Sequence, residues 1–114
     1  MPLLEKDIER YLATRIAALG GKAYKWVSPA HIGVADRIVV LPGGVVWFVE
    51  VKAAKGRLSP LQKLFAADMA RLGQQYACVW SKEDVDKWML GLQNTLPTRP
   101  TAPKTLAARW AGGA

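Results

Sequence analysis

At 114 residues the chain has the length of one domain, and with 51% hydrophobic and 22% charged residues it is not an intrinsically disordered protein. Sixteen Lys and Arg against nine Asp and Glu leave a formal charge of +7 and a pI near 9.9, a surface suited to polyanions and to nucleic acid first among them. One cysteine, Cys78, and one histidine, His31, exclude an internal disulfide and a thiolate or multi-histidine zinc site, and they fit a reducing, cytoplasmic compartment.

The opening MPLLEKDIERYL carries charge where a secretory leader needs an apolar run, and no apolar stretch approaches the length of a membrane span. No membrane partner is expected. From Glu5 to Leu19 the residues Ile8, Tyr11, Leu12, Ile16 and Leu19 recur at three- and four-residue spacing, predicting an amphipathic helix that Gly20-Gly21 stops. KAYKWVSP alternates weakly and reads as a short strand running into a loop with Pro29, His31 and Gly33, which delivers Asp36. DRIVVL and VVWFVEVKA flank Pro42-Gly43-Gly44 and predict a β-hairpin, the glycines supplying the positive φ that a tight reversal needs.

KGRLSPLQKLFAADMARLG then takes Ser59 as N-cap, Pro60 as first helical residue and Gly73 as stop. QYACVWS reads as a short apolar strand. SKEDVDKWMLGLQ reads as a third helix capped by Ser81, with Glu83 and Asp84 near the positive end of its dipole. The expected class is α/β in the order α-β-β-β-α-β-α. Residues 1–94 form the domain, and 95–114, proline-rich and basic, form an extended tail; no internal repeat is present.

In VVWFVEVKA, alternation puts Val46, Phe48, Glu50 and Lys52 on one face and Val45, Trp47, Val49 and Val51 on the other. A carboxylate and an ammonium side by side on a hydrophobic strand can be a simple ion pair. Asp36 changes that reading, because in a hairpin turning at 42–44 the start of the first strand lies opposite the end of the second, which brings Asp36 near Glu50. Two converging carboxylates repel unless a hard cation such as Mg²⁺ or Mn²⁺ lies between them, and the Val51 carbonyl is a further possible oxygen ligand.

The Gly33-x-x-Asp36 element followed across a hairpin by Glu50-Val51-Lys52 resembles the PD-(D/E)xK nuclease superfamily. The longer run GVADRIVVLPGGVVWFVEVKAAKGRLSPLQ resembles the virus-type replication-repair nuclease family, VRR-NUC, and the likeness extends from EKDIERYL to SKEDVDKW, up to about residue 92. The resemblance implies a restriction-endonuclease-like core, with a mixed central sheet flanked by helices. It implies a Mg²⁺- or Mn²⁺-dependent endonuclease acting on DNA, in particular branched DNA of the junction or flap type, and a homodimer of phage or bacterial kind. It assigns Asp36 and Glu50 to the metal, and Lys52 to the attacking water or the pentacoordinate phosphate. Gln62, which follows Ser59-Pro60-Leu61, matches the family's helical glutamine, while the first-helix glutamate falls on Glu5 or Glu9, Glu5 lying nearer the centre of the apolar face. Ala35 stands where the family usually has proline, a change in backbone rigidity rather than in chemistry.

Lys25, Lys55 and Arg57 are the cations expected to grip phosphates, with Lys22 and Lys63 flanking them. Trp26 reads as packing, His31 as surface, Trp47, Trp80 and Trp88 as core, and Cys78 as a small buried hydrophobe. A non-catalytic DNA-binding module and a sequence-specific restriction-type nuclease are the competing functions; the intact Asp36, Glu50, Lys52 and Gln62 set argues against the first. The short chain shows no dedicated recognition segment for the second.

Overall fold

The computed structural model describes residues 4–93, so the proposed tail at 95–114 lies outside the described residues. Seven elements follow in the expected order: α1 (Glu5–Ala18), β1 (Lys22–Lys25), β2 (Arg37–Leu41), β3 (Val45–Val51), α2 (Pro60–Arg71), β4 (Tyr76–Val79) and α3 (Lys82–Gln93). The sheet runs β1-β2-β3-β4; the first two pairings are antiparallel and β3 with β4 is parallel. The parallel pair needs a crossover, and α2 supplies it.

The hairpin pairs Leu41 with Val45, so the chain reverses over Pro42-Gly43-Gly44, with both glycines left-handed at φ 85° and 78°. One sheet face carries Val39, Leu41, Val49 and Val51, which pack with Ile8, Leu12 and Ile16 of α1 and with Val85, Met89 and Leu92 of α3. Every one of these is at least 96% buried, so this face is the main core. α2 covers the opposite face through an aromatic cluster: Phe65 meets Phe48 and Tyr76 at ring separations of 5.9 and 6.1 Å, and Trp26 packs on Phe48 and Phe65. No α2 residue is fully buried. This second layer is thinner than the first.

Trp26 and His31 lie as the sequence suggests, the one packed on rings and the other exposed. Trp47 and Trp88 meet edge to face at 5.5 Å against the main core. Trp80 departs from expectation. It is 36% exposed, because β4 ends at Val79 and the following residue has already left the sheet for the start of α3. Cys78 is half-buried on the thinner α2 side, and burial pushes its thiol up to about 12. Among the described residues no helix is long and apolar enough to cross a membrane.

Candidate active site

The hairpin register determines which acids meet. Arg37 pairs with Val49, so one step outward Asp36 lies across from Glu50. The last β2–β3 pair has by then been passed, and the Val51 N–H, with no strand partner on that side, donates to Asp36 Oδ2 at 2.8 Å. The Asp36 carbonyl accepts from Trp26 N–H at 2.9 Å, so Asp36 is tied to strands on both sides. Ala35 just before it is fully buried, and packing holds the position that proline stiffens in the resembling family.

Glu50 is the one buried charged residue among those described, at 1% exposure. Burial, first, then a hydrogen bond to the Asp36 carboxyl and the Asp36 charge together push the Glu50 carboxyl up to about 8; Lys52 pulls the other way and Glu5 adds to the rise. Glu50 thus favours its protonated form at neutral pH, and a divalent cation bound there would compete with that proton.

A second anchor comes from α2. Ser59 accepts from Gln62 N–H at 3.2 Å, and the Gln62 side-chain oxygen accepts from Ser59 N–H at 2.8 Å, forming a reciprocal capping box. With its oxygen committed, the Gln62 amide turns its Nε2 to Glu50 Oε2 at 3.3 Å. The helix cap thus sets the Glu50 carboxylate as well as the helix start. SxxQ was present in the sequence as a capping signature, but its link to Glu50 depends on how α2 lies on the sheet.

The two first-helix acids have different surroundings. Glu9 is taken by Arg37, whose Nε lies 3.0 Å from Glu9 Oε1, in an ion pair with both side chains only 20% exposed. Glu5 is exposed and close enough for its charge to act on Glu50. Among the described residues no group of three His, Cys, Asp or Glu gathers within reach of one ion. Glu5 therefore stands at the rim of the Asp36 and Glu50 pair. The two carboxylates are hard oxygen donors of the kind that suits Mg²⁺, an ion that takes one or two carboxylates and keeps several of its waters.

Lys52 follows on the face of Glu50. Lys55 and Arg57 lie exposed in the turn after it, and Lys63 is exposed on α2. Lys25 is placed otherwise: it pairs with Arg37, and the alternation of β1 sets both on the α1 face, away from Glu50. Lys22 lies over the Tyr24 ring at 4.8 Å. A groove of about 380 Å³ between α2 and the 26–34 segment, lined by Trp26, Ile32, Leu61, Leu64 and Phe65 among others, is largely apolar and offers little to a phosphodiester.

No family model matches the chain. It is 40% identical over 84 residues to "Putative nuclease p44" of Acyrthosiphon pisum secondary endosymbiont phage 1, an alignment that covers 73% of this chain and 90% of that protein. A solved structure of a VRR_NUC domain superposes with a TM-score of 0.72 at 33% identity, covering 75% of this chain and 94% of the other.

Proposed function

The chain belongs to the VRR-NUC nuclease family, and from that premise we propose that it is a Mg²⁺-dependent endonuclease that hydrolyses phosphodiester bonds in branched DNA. The observation that carries this reading is the convergence of Asp36 on the buried Glu50, with Lys52 just past the end of β3 and close enough for its charge to act on Glu50. Asp36, Glu50 and the Val51 carbonyl would hold the cation, which when bound supplies Lewis-acid stabilisation of charge on the phosphate. Mn²⁺ suits the same oxygen donors.

The chain's own residues do the rest. Gln62 and the Val51 N–H each spend a donor on a carboxylate oxygen, which restricts the two acids to one geometry before substrate arrives. Lys52 carries a positive charge to the rim, where it can orient the attacking water or offset charge on the phosphate oxygens in the transition state. Lys55 and Arg57 meet the flanking phosphates and position the strand without reading bases. A four-way junction with two-fold symmetry requires two cuts, so we propose a homodimer working in a cytoplasmic setting.

Cleavage of linear duplex, flap and four-way DNAs in Mg²⁺ tests the substrate class. Branched DNAs are expected to be cut well ahead of the linear duplex. Equal rates on all of them would remove the structural preference, and DNA binding without cutting would reduce the protein to a binding module. Sedimentation equilibrium is expected to show a dimer at working concentration; a monomer that still resolves the four-way junction contradicts the assembly.

A further inference from the structure

Trp80 stands at the carboxyl end of β4 beside the proposed active site. Glu50 pairs with Cys78, and Lys52 N–H donates to the Val79 carbonyl at 2.9 Å, so two residues beyond Cys78 the chain brings Trp80 alongside Lys52. Its indole Nε1 donates to the Gly56 carbonyl at 2.7 Å and its backbone N–H to Asp84 Oδ2 at 3.0 Å. Both polar groups are thereby used, and what stays open in a residue 36% exposed is chiefly apolar ring. Among the described residues Trp26, Trp47 and Trp88 each meet another ring, whereas Trp80 meets none.

The turn that Trp80 holds is itself built to one shape. Gly56 N–H donates to the Ala53 carbonyl at 2.8 Å, and a Cβ on Gly56 would come within 2.9 Å of that same oxygen. Lys55 is left-handed at φ 69°, the only described non-glycine residue with positive φ, a strained state for a side chain with a Cβ. Lys55 and Arg57 are both exposed. A fixed aromatic ring beside two presented cations matches what a single nucleotide offers, a π face with a phosphate on either side.

We infer that Trp80 is a stacking platform for an unpaired nucleobase of DNA bound at the Asp36 and Glu50 site, with Lys55 and Arg57 taking the adjacent phosphates. The inference rests on the nuclease reading above and adds a source of its selectivity. In continuous duplex every base is already stacked, while a base at a branch or flap is free to leave the helix and settle on the ring.

Fluorescence anisotropy tests it in Ca²⁺, an oxygen-binding cation, with a flap DNA, the same flap carrying abasic sites in its unpaired arm, and a linear duplex. The protein should bind the intact arm about tenfold more tightly than the abasic arm. Trp80→Ala should lose about that factor on the intact arm and bind the two arms alike, and Trp80→Phe, which keeps a ring but not the bond to Gly56, should retain most of it. An unmodified protein indifferent to abasic substitution overturns the platform and needs no variant. Equal losses by Trp80→Ala on the intact arm, the abasic arm and the duplex overturn it as well, since Trp80 would then only brace the turn. Failure of the unmodified protein to bind any of the three DNAs would instead sink the nuclease reading beneath it.

Discussion

Glu50 serves the proposed chemistry only as a carboxylate, yet the fold makes ionisation costly. Its carboxyl is pushed up from the ordinary value near 4.5 to about 8, first by burial and then by Asp36. Between these two pH values the folded protein holds a proton that the unfolded chain has released. The contribution of Glu50 to metal-free stability is therefore fully present below about pH 4.5 and lost as pH rises through about 8. Thermal melts in EDTA should show stability declining across that window, and Glu50→Gln should flatten the decline. Cation binding must displace the same proton, so affinity for Mg²⁺ or Mn²⁺ should rise about tenfold per pH unit up to the neighbourhood of pH 8 and level off above it, measurable by calorimetry. A pH-independent affinity would show that Glu50 does not hold the metal. Gln62→Ala should weaken metal binding by roughly 10- to 100-fold through the loss of its bond to Glu50. The meeting of Asp36 and Glu50 is legible in the sequence, since the Pro42-Gly43-Gly44 turn determines the hairpin register and simple counting then opposes the two acids. The raised carboxyl is not, because it depends on how deeply the assembled fold buries one side chain.

The hairpin and the start of α2 are the elements that shape the site. Ser59, Pro60 and the glycine stops have local signatures, and all seven elements occur in the order those signatures imply. Partner choice beyond the hairpin has no such signature. That is why Lys25, close in sequence to the loop that leads to Asp36, lies on the α1 face, and why Trp80, in an apolar run, lies at the rim. The same limit applies to Arg37, which takes Glu9 across 28 residues and leaves Glu5 nearer the Asp36 and Glu50 pair. Gly33 links the loop that leads to Asp36 with α2. Its φ of 99° is left-handed, and an added Cβ would lie 2.7 Å from the Leu61 backbone. Gly33→Ala should therefore cost roughly 1–3 kcal/mol and separate the loop from the helix, lowering cleavage more than Ser59→Ala, whose loss of a cap costs about 1 kcal/mol. Melting curves paired with cleavage rates distinguish the two; equal activity at matched stability would contradict the role given to Gly33.

At the scale of the whole molecule, the charge of +7 was readable from composition, and it implies binding that weakens steeply with salt. Lys55→Ala and Arg57→Ala should each reduce the slope of log affinity against log salt by about one, while Lys25→Ala, set on the other face, should change it less. Composition says nothing of subunit number, because no residue pattern in a chain this short marks which surface meets a second copy. The two carboxylates, by contrast, carry the chemistry proposed for the molecule. The most direct test follows cleavage of a branched DNA by the unmodified protein, Asp36→Asn and Glu50→Gln, each confirmed as folded by circular dichroism, with Mg²⁺ added to start the reaction. Cutting by the unmodified protein is expected only after Mg²⁺ is added, and none by either folded variant. Cutting in EDTA, or an undiminished rate in Glu50→Gln, would contradict the proposed chemistry.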